Sequence, residues 1–268
     1  MVSPHDMYAG RGADIGLAED YSWLLTPQWM TGDAFLQQNA AVLAEFPAGS
    51  SILDAACGVG VEVVALARTG FTVAASDASP GMVEQCRRRV ADAGLNVPTE
   101  VACWRELPQT WQTRFDLVLC TGNSIVHAAD EQEMISSLRG LRDVLAERGK
   151  LLVTSRNWEK LHAERQRLAV PSQLQRHGER QGLGIYLWSI PETWGAPHVA
   201  EIVILVFEGD AVVSRRHEIT FQPFRHDELV DRMEQSGLSV VGDSYEADAD
   251  WYSIIVQRAD RSASRRWC

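Results

Sequence analysis

The stretch Ile52-Leu53-Asp54-Ala55-Ala56-Cys57-Gly58-Val59-Gly60 decides the fold of this chain. A short apolar run ends at the acid Asp54, and a glycine-rich turn follows it. A helical pattern, Val61-Glu62-Val63-Val64-Ala65-Leu66-Ala67-Arg68, begins directly after the turn. This order predicts a strand, a tight turn and a helix, with the turn placed where backbone atoms could touch a cofactor.

Two classes of cofactor use such a turn, and the neighbouring residues favour one of them. A dinucleotide site has a third glycine where this chain has Val63, and Asp54 would lie near an anionic pyrophosphate. S-adenosylmethionine has no phosphate and carries a sulfonium and an ammonium group, which an acid beside the turn suits. The third interpretation is a glycine turn that only joins a strand to a helix, since glycine also serves wherever a turn needs an unusual backbone conformation.

Composition limits the other classes of function. The chain has 268 residues, 46% of them apolar and 23% charged, which is ordinary for a globular protein. A net charge of −11 disfavours a nucleic-acid partner. The five cysteines are widely spaced without a C-x-x-C pair, and there is no signal-peptide pattern or long apolar run. We therefore expect a cytoplasmic protein with no metal centre and no membrane partner.

Strand and helix patterns alternate along the first part of the chain. This predicts an α/β fold: a Rossmann-like, doubly wound, mostly parallel seven-stranded sheet with a small antiparallel β insertion. The predicted organisation is an N-terminal helical lid segment over 1–48, the Rossmann-like domain over 49–258 and a flexible tail over 259–268. The insertion covers about 157–224 and is placed to bind substrate. Phe35–Phe46 is predicted as one helix ending before Pro47.

Chemistry-bearing residues fall at the carboxyl ends of the predicted strands, where open α/β sheets bind ligands. Asp77, which ends the second strand, could hold the two hydroxyls of a ribose or cap the next helix. Ser79, immediately before Pro80, is the better cap candidate, which leaves Asp77 for a ligand. Trp104 could stack on a purine or be an ordinary core residue.

Arg156 ends the fifth predicted strand and suits a carboxylate bound through two hydrogen bonds. Its alternative is a salt bridge to Glu159 or Glu192. Near the N-terminus, Tyr21 and Trp23 could form a lid over a bound cofactor, or belong to a helix packed on the sheet.

Four motifs together resemble glycine N-methyltransferase and its relatives, which are class I S-adenosylmethionine-dependent methyltransferases. They are 53–60 (LDAACGVG), 77–79 (DAS), 122–127 (GNSIVH) and 155–158 (SRNW). The first two occur in many class I enzymes, and the last two are more specific to the glycine-methylating branch. The resemblance covers about 20–160 well and 160–258 loosely.

The resemblance implies a set of cofactor contacts. Asp54 would lie beneath the sulfonium, Asp77 would hold the ribose, and Met82 would flank the adenine. The segment around Tyr21 and Trp23 would close over the cofactor. The cofactor-binding residues implied in full are Tyr21, Trp23, Asp54, Ala55, Cys57, Gly58, Gly60, Asp77, Ala78, Ser79, Met82, Cys103, Trp104, Thr121, Gly122 and His127.

On the acceptor side, the resemblance implies that Asn123 and Arg156 hold the carboxylate of an amino acid. The chain departs from the family after this arginine. Ile185-Tyr186-Leu187-Trp188 keeps only the first of two tyrosines, and Thr220-Phe221-Gln222-Pro223-Phe224 replaces a tyrosine-rich stretch. An acceptor larger than glycine is expected. Tyr186 remains a candidate catalytic residue, and His127 and Glu192 are the candidates if a base is needed.

The function predicted is methyl transfer from S-adenosylmethionine to a nitrogen of a small acceptor that bears a carboxylate, with S-adenosylhomocysteine as product. Two alternatives stay open. The scaffold does not fix the acceptor atom, so C- or O-methylation is one. A non-catalytic S-adenosylmethionine-binding regulator is the other, although Asn123 and Arg156 argue against it. Assembly into homo-oligomers is also left open.

Overall fold

The computed structural model describes residues 15–259, and the first 14 residues and residues 260–268 lie outside the described part. The beginning of the predicted lid segment and nearly all of the predicted tail fall there. The ten helices within 15–259 are α1 Ile15–Asp20, α2 Pro27–Met30, α3 Asp33–Gln38, α4 Ala40–Leu43, α5 Val61–Arg68, α6 Pro80–Asp92, α7 Leu107–Thr110, α8 Glu131–Asp143, α9 Trp158–Glu164 and α10 His226–Gln235.

Twelve strands are found in the same described residues, in two sheets. They are β1 Ser51–Asp54, β2 Thr72–Asp77, β3 Thr99–Val101, β4 Phe115–Cys120, β5 Leu145–Arg156, β6 Leu168–Ala169, β7 Gln175–His177, β8 Arg180–Ser189, β9 His198–Glu208, β10 Ala211–Phe221, β11 Leu238–Asp243 and β12 Trp251–Arg258. Single 3₁₀ turns cover Tyr21–Leu24, Trp104–Glu106 and Ser124–His127.

The main sheet has seven strands in the order β11-β12-β5-β4-β1-β2-β3. Strands β1 to β5 run parallel, and β12 pairs antiparallel with both β5 and β11. The predicted mostly parallel seven-stranded sheet is therefore confirmed. From β1 the chain adds β2 and β3 on one side of the sheet, and it then crosses to add β4 and β5 on the other side of β1. The loops that follow β1 and β4 therefore lead away from each other, which opens a crevice at the carboxyl ends of these two strands.

The second sheet is antiparallel, with the order β10-β9-β8-β6 and with β7 paired to β8. It lies wholly within residues 157–224, and the predicted antiparallel β insertion is confirmed. Alternate residues of β8 are buried, so Gly182, Gly184 and Trp188 face the body of the protein. Strand β9 alternates in the same way and adds Ile202 and Ile204 to the core.

Buried side chains form a core on each face of the main sheet, as β4 illustrates. Leu117 and Leu119 pack into one cluster with residues of α5 and α6. Val118 and Cys120 pack into the other cluster, which continues into the second sheet. Such alternation along a strand buried on both faces explains why β4 reads as a continuous apolar run. The shared cluster fixes the second sheet against the carboxyl ends of the parallel strands.

The single helix predicted over Phe35–Phe46 is wrong. The structure has two short helices, α3 and α4, that meet at Asn39. The Asn39 side chain donates to the Phe35 carbonyl at 2.9 Å, and its backbone leaves the helical region at φ −104° and ψ 12°. Asparagine side chains compete for backbone hydrogen bonds in this way, which interrupts the helix.

Among the residues that the structure describes, no helix is long and apolar enough to cross a membrane.

Candidate cofactor and acceptor site

The loop between β1 and α5, residues 55–60, is held by neighbouring elements on all sides. The Ala55 amide donates to the Leu119 carbonyl of β4, and the Cys57 amide donates to the Ser76 carbonyl of β2. Arg89 of α6 donates from Nε to the Val59 carbonyl at 2.9 Å. The backbone of the loop is therefore preorganised without a ligand.

Two glycines of this loop have left-handed backbone conformations, for different reasons. At Gly60, with φ +79°, a Cβ atom would lie 2.6 Å from the Cys86 sulfur, so the loop packs closely on α6. At Gly58, with φ +49°, a Cβ atom would meet no atom of the described residues within 4 Å. The backbone at Gly58 thus borders open space, which is where a ligand could approach it.

Asp77 ties the glycine loop to the loop after β2. Its Oδ2 accepts from the Gly58 amide at 3.0 Å, and its Oδ1 accepts from the Ser79 amide at 2.9 Å. The cap of α6 is Ser79, whose hydroxyl accepts from the Met82 amide at 3.3 Å. The prediction that Ser79 and not Asp77 caps this helix is confirmed. Ala78 lies between them, and Asp77 keeps lone pairs free for a ligand.

Three carboxyl groups converge beneath the glycine loop. Burial raises the pKa of Asp54, Glu62 and Asp77, and the charge of Glu62 raises the pKa of Asp54 further. Arg89 is the cation that opposes the shift at Glu62. Carboxyl groups held together away from water favour a cationic ligand and oppose a pyrophosphate. Glu62 is not among the site residues predicted from the sequence, although it lies in the first turn of the helix that follows the loop.

The structure supports the core alternative for Trp104. Its indole is 7% exposed and donates from Nε1 to the Ala55 carbonyl at 2.8 Å, which braces the glycine loop from below. The neighbouring Cys103 amide donates to Glu106 Oε2 at 3.1 Å. Met82 is also buried and packs with Ala18 and Val59. Trp104 therefore supports the loop and offers no open ring face for a purine.

The loop after β4 places Asn123 against the end of β5. Asn123 has φ 67°, and its Oδ1 accepts from the Arg156 amide at 3.0 Å and from the Ser155 hydroxyl at 3.3 Å. The Gly122 amide donates to the Thr154 hydroxyl at 2.9 Å, and Thr121 is buried at the start of the loop. Asn123 thus fixes the backbone that carries Arg156, and within residues 15–259 its Nδ2 has no hydrogen-bond partner.

Arg156 lies at the end of β5 between two indoles. Its guanidinium carbon is 5.7 Å from the ring centroid of Trp188 and 4.9 Å from that of Trp251. No acid in the described part of the chain forms an ion pair with it. Glu159 pairs with Arg225 at 3.8 Å, and Glu192 pairs with Arg165 at 3.6 Å. Burial lowers the pKa of Arg156, against the opposing influence of Tyr186 and Asp250.

The salt-bridge alternative for Arg156 is therefore excluded among the described residues. The result is a half-buried cation held in place by aromatic rings, with its donors free. Such a guanidinium is suited to an anionic group, above all a carboxylate bound by two parallel hydrogen bonds.

An aromatic surface adjoins this cation. Tyr186 stacks on Trp188 with ring centroids 6.1 Å apart, and burial raises its pKa to about 12, against the influence of Arg156. Trp188 in turn contacts Trp158 at 6.2 Å and Phe221 at 5.4 Å. We call these four residues, Trp158, Tyr186, Trp188 and Phe221, the aromatic wall.

The structure argues against both candidate bases. His127 packs on Phe221, its Nδ1 has no partner, and burial lowers its pKa to about 4. At neutral pH it is an uncharged and weak base. Glu192 lies on the surface with its side chain 90% exposed, paired to Arg165. A carboxylate this exposed has an ordinary solvated environment, which gives no support to the prediction that Glu192 is a base.

Of the two N-terminal aromatic residues, Tyr21 faces the site. Tyr21 packs against the cluster of Ala18, Val59 and Met82 and against the larger core cluster that contains most of the aromatic wall. Burial raises the pKa of its hydroxyl, and the charges of Tyr186, Glu62 and Asp77 raise it further. Trp23 is 4% exposed, and its ring contacts His177 of β7 with centroids 4.2 Å apart. The prediction that Trp23 covers a cofactor is corrected: it anchors this segment to the second sheet.

Within 15–259, no group of three or more His, Cys, Asp and Glu residues could hold a metal ion.

Part of the chain is similar in sequence to known methyltransferases. Residues 52–149 match the family model described as a methyltransferase domain. The glycine/sarcosine N-methyltransferase of Parasynechococcus marenigrum (strain WH8102) is 33% identical over 111 residues, which are 41% of this chain and 39% of that protein. The chain thus matches about two fifths of the length of this relative.

Two solved structures share the fold. An S-adenosylmethionine-dependent methyltransferase from Clostridium acetobutylicum superposes with a TM-score of 0.71 at 16% identity, covering 91% of this chain and 98% of that one. An amino pentose methyltransferase from Micromonospora echinaspora, solved with S-adenosylmethionine bound, gives 0.67 at 16% identity, covering 92% and 98%. Residues 52–149 thus match a methyltransferase domain, and the fold is shared with S-adenosylmethionine-dependent methyltransferases of known structure.

In sequence, the region matched by the Parasynechococcus relative resembles glycine and sarcosine N-methyltransferases.

Proposed function

We propose that this protein transfers a methyl group from S-adenosylmethionine to the nitrogen of a small acceptor that carries a carboxylate. The observation that carries the proposal is the guanidinium of Arg156, which has no ion-pair partner among residues 15–259 and lies at the carboxyl edge of the main sheet. Relatives named for glycine and sarcosine N-methylation support nitrogen as the acceptor atom. A regulator that only bound the cofactor would not need such a cation.

The residues of the crevice fit S-adenosylmethionine. Open space at Gly58 allows the ligand to approach the backbone, and Asp77 has lone pairs free for ribose hydroxyls. The carboxyl groups of the buried Asp54 and the partly buried Glu62 suit a sulfonium and an ammonium group. When bound, S-adenosylmethionine would supply a methyl group activated on positive sulfur. The role of these residues is to bind and orient it.

The main contribution of the protein to methyl transfer is to hold the acceptor amine close to the methyl group. An amine must present its lone pair to the methyl carbon, and its proton must leave before or after the new carbon–nitrogen bond forms. With His127 weakly basic and Glu192 exposed to solvent, the structure favours binding of the neutral amine and loss of the proton to water. Orientation alone can supply a large part of such a rate enhancement.

The aromatic wall supports an acceptor larger than glycine. Phe221 and Trp188 offer no hydroxyl beside Arg156, and Tyr186 offers only one. Trp158, Trp188 and Phe221 are only 1%, 7% and 7% exposed, so the partly exposed Tyr186 is the ring of the wall that an acceptor could touch. Apolar side chains beside a carboxylate site favour an acceptor with an apolar or aromatic portion over glycine.

Calorimetry with S-adenosylmethionine tests the cofactor, and a screen of amino acids and related amines tests the acceptor, with release of S-adenosylhomocysteine as the readout. We expect micromolar cofactor binding and turnover with at least one bulky amino acid. No binding of S-adenosylmethionine at high micromolar concentration would contradict the proposal. Turnover only of amines that lack a carboxylate would contradict the role of Arg156.

Cofactor binding is expected to tighten as pH rises. Raised pKa values mean that folding favours the protonated forms of Asp54, Glu62 and Asp77, so their contribution to the stability of the free protein is lost as pH rises through these values. A cationic ligand binds the ionised forms. Affinity should therefore increase from the ordinary carboxyl pKa near 4 upward, by up to about tenfold per pH unit for each proton released.

Calorimetry over a series of pH values measures this dependence. S-adenosylhomocysteine, which lacks the sulfonium charge, is the matched control and should show a weaker rise. A flat profile for S-adenosylmethionine would show that the three carboxyl groups do not face the cofactor.

A further inference from the structure

The segment that contains Tyr21 is attached to the second sheet by a partly buried ionic contact between Asp20 and Arg215. Asp20 is 2% exposed. Arg215 of β10 donates to both of its carboxylate oxygens, from Nε at 2.8 and 2.7 Å and from Nη2 at 2.5 Å. His217, two residues further along β10, contacts Asp20 Oδ2 at 2.9 Å through Nε2. A carboxylate bound through two oxygens fixes both the position and the orientation of its backbone.

A second, apolar contact lies beside it on β8. A Cβ atom at Gly182 would lie 2.9 Å from the Trp23 ring, and one at Gly184 would lie 2.2 Å from Leu24 Cδ2. The two glycines therefore leave a groove that the side chains of Trp23 and Leu24 fill. This contact is independent of the charges of Asp20 and Arg215, and it fastens the same segment to the same sheet.

The other side of the segment packs on the cofactor half of the protein. Ala18 of α1 belongs to a buried cluster with Val59 of the glycine loop and Met82 of α6. Tyr21 packs against this cluster and also against the larger core cluster, which contains Trp158, Trp188 and Phe221 of the aromatic wall. The segment is thus the part of the chain that bridges the cofactor loop and the acceptor surface.

We propose that Asp20 is a positioning residue for methyl transfer: by binding Arg215 and His217 it holds Tyr21 between the cofactor loop and the aromatic wall, and so couples the two ligands. This inference rests on the proposed function. Loss of the contact should weaken cofactor and acceptor binding together, because one segment completes both sites. Loss of Arg156, whose ring contacts are with Trp188 and Trp251, should weaken binding of the acceptor alone.

The test compares Asp20→Asn with Glu19→Gln, and Arg215→Ala with Arg216→Ala. Glu19 is the adjacent exposed acid, and Arg216 is an exposed arginine that pairs with Glu201. The rate of amide hydrogen exchange over residues 15–25 measures how firmly this segment is attached, and it does not depend on enzyme activity. Calorimetry reads the Kd of S-adenosylmethionine, and steady-state kinetics read the KM of the acceptor. Leu24→Ala, which leaves the ionic contact intact, serves as a second variant if Asp20→Asn does not fold.

We expect Asp20→Asn and Arg215→Ala each to raise the Kd and the KM about tenfold and to speed exchange over 15–25, while both controls stay within about twofold. The double variant should lose little more binding affinity than either single variant, because the two substitutions remove the same contact. Faster exchange with unchanged Kd and KM, or unchanged exchange, would overturn the inference alone. If the wild-type protein binds no S-adenosylmethionine, both the proposed function and this inference are wrong.

Discussion

Replacing Arg156 by glutamine is expected to lower kcat/KM for a carboxylate-bearing acceptor by roughly 30-fold to several thousand-fold, corresponding to about 2–5 kcal/mol for loss of one partner of a desolvated charge pair. The side chain is held between Trp188 and Trp251 and has no acid partner among the described residues. The charge and the hydrogen-bond donors of the guanidinium are therefore available to bind the acceptor. Arg156→Lys should fall in between, because an ammonium keeps the charge and loses the planar pair of donors.

The measurement pairs each acid acceptor with its amide. For the wild-type protein the acid should react far better, and for Arg156→Gln the two should react alike. Arg148→Gln is the matched control, since Arg148 is exposed near the other end of β5. The Kd of S-adenosylmethionine should not change in either variant. Equal reaction of acid and amide with the wild-type protein would show that the guanidinium does not bind the acceptor.

Replacing Asp77 by alanine is expected to weaken S-adenosylmethionine binding roughly 100-fold, since hydrogen bonds to a charged group contribute about 1.5–3 kcal/mol. Two effects combine in this variant. The ribose hydroxyls would lose the carboxylate proposed to bind them. The amides of Gly58 and Ser79 would lose the hydrogen-bond acceptor that holds the two loops at their present spacing. Asp77→Asn keeps one oxygen and should show a smaller loss.

Calorimetry of the two variants, with melting temperatures of the free proteins, separates these effects. Relief of a buried carboxyl group offsets part of the lost loop contacts, so the melting temperature should change little while the Kd rises. Asp92→Asn, at an exposed position of α6, is the control for the change in charge. A Kd for Asp77→Ala within about threefold of wild type would remove the ribose role.

The architecture was predictable because its signals are local. The apolar run at Ile52–Asp54, the glycine turn and the helix that follows are contiguous, and the alternation of strands with helices predicts a parallel sheet with its ligand edge. Residues at strand ends, such as Asp77 and Arg156, could be found for the same reason. Periodicity placed them at one edge before any contact was known.

Contacts between distant residues were not predictable in this way. The pattern around Trp23 is equally consistent with a ring over a ligand and a ring against a sheet, and only the groove at Gly182 decides between them. Glu62 reads as an ordinary polar position on a helix until the fold brings it beside Asp54. The break at Asn39 depends on a single side-chain hydrogen bond, which helical periodicity does not report.

The contact of Asp20 with the second sheet also orders events in time. Asp20 precedes Arg215 by 195 positions and His217 by 197. While the chain is being synthesised, α1 emerges long before either partner exists, whereas the glycine loop and α6 follow it closely. The bridging segment cannot take its final place until strand β10 has been made, and closing so long a loop is a slow step. A nascent chain can therefore form the cofactor loop early, but the closed site is completed only when the last fifth of the protein arrives.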